Sequence, residues 1–260
     1  MILTLTLIFF FFGLIVGSFL NVVICRMNTG KTFGGRSACM SCQSKLCWYE
    51  LIPLMSFVAL RGRCKTCKTK ISIQYPIVEL TVGLIFALLF FKFQSLFVNT
   101  LLFTGTYSYY AVMFSLLVII AAYDFKHKII PDTLSFLFGI LAFVGLFFFT
   151  TDGFLPHIPT LLEFLSGVFI ALPFGLLWLI SQGAWVGLGD AKLALGLGWF
   201  LGASVALSGV VLAFWTGAIT GIILIMFSKS YGMKSEIPFA LYLVLGAFLA
   251  FIFEFRLFSF

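Results

Sequence analysis

Charge is scarce in this 260-residue sequence: only 10% of it is Asp, Glu, Lys or Arg, against 62% hydrophobic residues and a mean hydropathy of +1.17. So little polar surface cannot cover a water-soluble globule, which excludes a soluble α/β enzyme first. Two further features are missing at the amino terminus. No basic residue precedes the first apolar run, Ile2 to Cys25, and no small-residue cleavage site follows it. A removable signal peptide is therefore not expected, and the run should remain as a first membrane helix.

Apolar runs broken by charge, Gly or Pro predict an all-α membrane protein. About eight transmembrane helices are expected, near 2–25, 76–92, 99–123, 131–150, 161–182, 190–202, 204–228 and 237–257. The sixth and seventh share one run, Asp190 to Ser228, punctuated only by small residues such as Gly198, Gly202 and Gly209. That length is excessive for one crossing and suits a hairpin with a short first arm. The expected organisation is a first helix (1–25), a cytoplasmic cysteine loop (26–75) and a transmembrane domain (76–260).

The basic residues fix the expected orientation. Nine of the sixteen Lys and Arg lie between Arg26 and Lys70. With eight spans and the amino terminus outside, fourteen of the sixteen fall on the cytoplasmic side, including Lys126, Lys128, Lys192, Lys229 and Lys234, leaving Lys92 and Arg256 outside. The net charge of +7 thus follows membrane topology, and lipid rather than nucleic acid is the expected surrounding.

Within the first loop stand Cys39-Met40-Ser41-Cys42 and Cys64-Lys65-Thr66-Cys67. Two such knuckles can set four thiolates about 2.3 Å from a zinc ion, closing a loop too small to build a core of its own. Four thiolates leave no open coordination position, so the zinc would be structural. Disulfides are the competing reading, opposed by a reducing cytoplasm. Cys25 and Cys47 read as thiols outside the cluster, although Cys47 can replace a neighbouring ligand.

Acids are expensive in an apolar solvent, about 2.5–3.5 kcal/mol at the bilayer centre on insertion scales, so each needs a reason. Asp124, in Tyr123-Asp124-Phe125, ends the expected third span, and Asp190 follows Gly187-Leu188-Gly189 at the start of the sixth. Both are expected at the cytoplasmic membrane face. Two carboxyls sharing a water can divide amide hydrolysis, one holding a proton against the carbonyl while the other activates water. The glycines before Asp190 would give the backbone freedom and let a substrate strand approach closely. If Asp190 also caps its helix, the dipole there favours it as the base. Taken singly, each aspartate reads equally well as a solvated boundary residue.

Asp132, after Pro131, fits a first-turn acid complementing a helix dipole. Glu79 either supports the site or stabilises a helix start. Lys126, His127 and Lys128 already satisfy the topology rule. A transporter is the chief rival, since buried acids also mark ion pathways, but it predicts an acid near the bilayer midplane. A non-catalytic scaffold gives no reason for a paired site.

Taken in order, Gly17-Ser18-Phe19-Leu20-Asn21-Val22-Val23, the two knuckles, WYELIPLMSF, LRGRC, ISIQYPIVEL, YDFKHKIIPD and VGLGDAKLALG resemble the type IV prepilin peptidases along nearly the whole chain. The resemblance implies a Gly-x-Gly-Asp aspartyl peptidase of the cell (inner) membrane, with Asp124 and Asp190 as its catalytic pair. It implies cleavage of the basic leader of type IV prepilins or pseudopilins just after a glycine, at the cytoplasmic face. It further implies methylation of the new amino terminus from S-adenosylmethionine, a step for which no Gly-rich dinucleotide-type loop is present and no residues are assigned. Glu50 departs from the family pattern, standing where Asp commonly follows the Trp-Tyr pair.

Overall fold

The computed structural model describes residues 2–29, 32, 34–150, 153–227 and 237–257. The basic residues Lys229 and Lys234, counted above toward the cytoplasmic side, lie outside that set. The chain divides into two compact units, Met1–Val98 and Asn99–Phe260.

In the first unit, α1 (Ile2–Arg26) and α3 (Gln74–Phe93) pack along their lengths. Gly13 and Gly17 make this possible. A Cβ on Gly13 would meet the Val82 carbonyl oxygen at 2.8 Å, and one on Gly17 would meet Glu79 Cα at 2.8 Å. Small residues four apart let two backbones approach, the usual device where lipid removes the hydrophobic drive between helices. Phe9 stacks on Phe90 at 4.7 Å near the other end of the seam. Between the two helices runs the cysteine loop, which carries one short helix, α2 (Met55–Ala59).

The second unit contains α4 (Thr100–His127), α5 (Asp132–Gly145), a two-residue hairpin of β1 (Phe149–Thr150) and β2 (Gly153–Phe154), α6 (Leu161–Ser181), α7 (Leu188–Phe227) and α8 (Phe239–Ile252). α7 packs against α5, α6 and α8, and α4 against α5 and α8. Phe200 of α7 gathers Tyr110 and Phe114 of α4, Phe138 of α5 and Phe251 of α8 into an aromatic core. Many of the phenylalanines therefore pack helix against helix. α6 lies close to α7 because Gly198 has no side chain: Ser166 Oγ donates to its carbonyl at 2.8 Å, and an added Cβ there would strike Gly167 at 2.6 Å.

Among the described residues, five helices are long and apolar enough to cross a membrane: α1, α3 with the turn that follows it, α4, α6 and α7. The expected eight spans thus appear as seven helices of ten residues or more among the described residues. The fourth ends five residues short of expectation because the chain turns into the β1–β2 hairpin. α4 holds that hairpin through Tyr110 Oη donating to the Thr150 carbonyl at 2.9 Å and Thr106 Oγ1 accepting the Phe154 N–H at 2.9 Å. With 14 residues each, α5 and α8 reach about 21 Å, short of the roughly 30 Å apolar core. The sixth and seventh expected spans form one 40-residue element interrupted at Gly202, whose φ of 74° and ψ of 163° are not helical. That conformation is open essentially to glycine alone.

Candidate active site and cysteine cluster

Asp124 lies inside the last turn of α4 rather than beyond its end, because the helix continues to His127. Lys128 then closes it in a left-handed conformation (φ 53°), its N–H donating to the Asp124 carbonyl at 2.7 Å. The Asp124 side chain is 5% exposed. Its Oδ2 accepts the N–H of Ala240 at 3.2 Å, a contact across 116 residues to the first turn of α8. That donor is one of the orphan amides every helix start must satisfy.

Asp190 is the third residue of α7 and is 8% exposed. It is not the cap residue itself. Its Oδ2 reaches back to accept the Gly187 N–H at 3.2 Å, the geometry an N3 acid uses to complete a capping box. Both carboxylates therefore occupy helix amino termini, Asp124 that of α8 and Asp190 that of α7. The dipole argument that favoured Asp190 as the base does not separate them.

Two contacts within the second unit join the two motifs, and Asp124 is also near enough to act electrostatically on Asp190. Gly189 sits against Ile130, so that a Cβ on it would meet Ile130 Cβ at 2.9 Å. Asp132 Oδ1 pairs with Lys192 Nζ at 2.6 Å. The glycines of the GLGD element serve space rather than backbone freedom: neither Gly187 nor Gly189 has a positive φ. Gly189 is needed because Ile130 leaves no room for a side chain. Asp132 is an exposed first-turn acid of α5, and Lys126, His127 and Lys128 are exposed, with His127 against the Tyr123 ring at 4.4 Å.

The partner missed by sequence reasoning is the Pro238-Phe239-Ala240 turn. A helix starting near 237 was expected, but nothing local says which distant carboxylate its first amides receive.

In the first unit the Sγ atoms of Cys39, Cys42, Cys64 and Cys67 all lie within 4.8 Å of one another. Cys39 and Cys67 are 3.8 Å apart, the edge of a tetrahedron with bonds of about 2.3 Å. The knuckles repeat one geometry: Cys39 N–H donates to the Ser44 carbonyl and Cys64 N–H to Thr69, with Gln43 (φ 55°) and Lys68 (φ 59°) turning the chain. Hydrogen bonding to the Thr69 hydroxyl and backbone holds the Cys67 thiol down to about 6. Ser44 lowers Cys42 in the same way. With four sulfurs at tetrahedral spacing, the donor set fits a metal such as zinc. Cys25 stands 3.3 Å from Tyr75 Oη, and Cys47 heads the Trp48–Leu51 turn that Glu50 closes by accepting its N–H at 2.7 Å. Neither joins the tetrad. Beside the second knuckle a cavity of about 570 Å³ is lined by Arg61, Arg63, Lys65 and Lys68. Its charge would repel a basic peptide.

Fold and site together define a polytopic helical membrane protein with a loop that gathers four cysteines and two buried aspartates in neighbouring helix-end motifs. Residues 11–93 match the family model described as the bacterial Peptidase A24 N-terminal domain, and residues 111–250 match the type IV leader peptidase family. The chain belongs to that family. A Bacillus subtilis prepilin leader peptidase/N-methyltransferase is 30% identical over 97% of this chain and 96% of its own length. The Myxococcus xanthus protein of the same name is 35% identical over 87% of this chain, which spans 65% of that relative. One from Aeromonas salmonicida is 29% identical over 93% of the chain and 88% of the relative. No solved structure matches significantly.

Proposed function

We propose that this chain is a membrane aspartyl endopeptidase that removes the basic leader of type IV prepilins or pseudopilins after a glycine, at the cytoplasmic face of the inner membrane. We propose too that it then methylates the new amino terminus from S-adenosylmethionine. The observation that carries the first reading is the apposition of Asp124 and Asp190, two buried acids from different helices whose motifs interlock through Ile130 on Gly189. Like charges at close range cannot both be held, so one carboxyl keeps a proton to polarise the scissile carbonyl while the other takes a proton from the attacking water. The backbone amides of Ala240 and Gly187 each hold one oxygen of one acid, which orients the pair and leaves the remaining oxygens for water and substrate.

A prepilin offers a cationic leader followed by an apolar helix. A site at helix termini can meet the bond between them without drawing the substrate out of lipid. Eight crossings with the amino terminus outside would place both aspartates and the cysteine loop on the cytoplasmic side. Cys39, Cys42, Cys64 and Cys67 would hold zinc, which supplies the cross-link that folds the loop. The methyl-transfer reading rests on the names of the relatives.

Asp124→Asn and Asp190→Asn should each lower leader cleavage by about 10²–10⁴-fold, the usual worth of positioned acid–base catalysis, while the protein still inserts. Normal processing of a coexpressed prepilin by either variant would refute the assignment.

A further inference from the structure

Glu79 belongs to neither of the two aspartate motifs. It lies in the second turn of α3, in the first unit, and is 8% exposed. Its Oε2 accepts the Leu54 N–H at 2.9 Å, and the Ser18 hydroxyl of α1 is its other neutral partner. Among the described residues no Lys, Arg or His pairs with it. A shielded carboxylate with only neutral donors calls for a proton or a cation.

One rung along the same seam stands an unmet acceptor. Asn21 is 1% exposed and donates through Nδ2 to the Tyr75 carbonyl at 3.0 Å, while its Oδ1 has no donor. Tyr75 lies one turn before Glu79 on α3, and Asn21 one turn after Gly17, which rests on Glu79. The Ser18–Glu79 and Asn21–Tyr75 contacts are thus neighbouring rungs of the α1–α3 seam. Buried polar atoms are rarely left unmatched without a reason. A hard divalent cation needs about six oxygens, more than this seam offers. A group with one positive charge and several N–H donors fits an anionic oxygen beside an orphan carbonyl oxygen.

We propose that the Ser18–Asn21–Glu79 seam binds a primary ammonium belonging to a reactant of methyl transfer. Two sources share that chemistry, the α-amino group freed by leader removal and the α-amino group of S-adenosylmethionine. The inference rests on the methyl-transfer reading above and deepens it by giving that activity residues in the first unit.

The test uses the full chain in lipid nanodiscs with a prepilin and S-adenosylmethionine, followed by mass spectrometry of the product's amino terminus. Glu79→Gln keeps an acceptor for the Leu54 N–H and mimics a protonated acid, so it removes the charge alone. Leader removal should persist while kcat/KM for methylation falls by about tenfold or more, the scale of one charge-assisted hydrogen bond, and Glu79→Asp should restore part of it. A raised KM for the leader-free product peptide identifies the acceptor amine as the ligand, and a raised KM for S-adenosylmethionine identifies the donor. Methylation by Glu79→Gln at the wild-type rate overturns the inference, as does a parallel loss of both activities, which would mark Glu79 as structural. An unmethylated wild-type product removes the methyl-transfer reading and this inference together, and leaves the peptidase reading standing.

Discussion

Gly189 shows how one missing side chain joins two motifs. Because a Cβ there would approach Ile130 Cβ to 2.9 Å, Gly189→Ala should displace the start of α7 from the 124–132 segment. The strain expected of overpacking is about 1–3 kcal/mol. Leader cleavage should fall with it, and Ile130→Ala in the same chain should recover part of both losses by vacating the space. A thermal melt alongside the cleavage assay checks this; a Gly189→Ala enzyme as active and as stable as wild type would mean that the close approach is unimportant. The GLGD motif was legible in the sequence, but the reason for its second glycine was not. Backbone freedom was the local expectation, whereas the requirement is steric and comes from a residue 59 positions earlier in the chain.

The elements divide between those whose limits follow local pattern and those that tertiary contacts trim. α1 and α6 begin and end within two residues of the apolar runs that predict them, α6 because Thr160 and Glu163 form a capping box. α5 stops early because the following residues pair as a hairpin held by α4. Gly202 interrupts α7 in a backbone region closed to other residues, so Gly202→Ala should cost about 1–3 kcal/mol, read as a lowered melting temperature in detergent. In the cysteine loop the proposed zinc cross-link would stand in for a core. Purified protein should carry about one metal ion per chain, Cys64→Ser should lower that content, and chelation should make the 39–67 segment sensitive to protease. A metal-free wild type would overturn the clamp.

At the scale of the whole molecule, the scarcity of charge dictates the solvent, and the distribution of Lys and Arg predicts the proposed orientation. The eight-crossing arrangement predicts that a membrane-impermeant maleimide labels Arg256→Cys in intact cells, and Lys126→Cys only after the membrane is opened. The opposite pattern would exclude that topology. Among the described residues, five helices satisfy the length requirement outright. The 14-residue α5 and α8 do not, and a thinner local bilayer or flanking residues that snorkel would accommodate them.

The sequence by itself determined the membrane class, the two aspartates singled out, and the pairing of knuckles that brings four sulfurs within 4.8 Å. Each of these depends on composition or on spacings of a few residues, which survive any arrangement of the helices. Tertiary structure alone decided that Asp124 receives the amide of Ala240, that Ile130 rests on Gly189, that one long helix breaks at Gly202, and that Glu79 meets Leu54 and Ser18. These contacts depend on helix packing and on how closely helices approach, and no periodicity within a single helix encodes which partner it will meet.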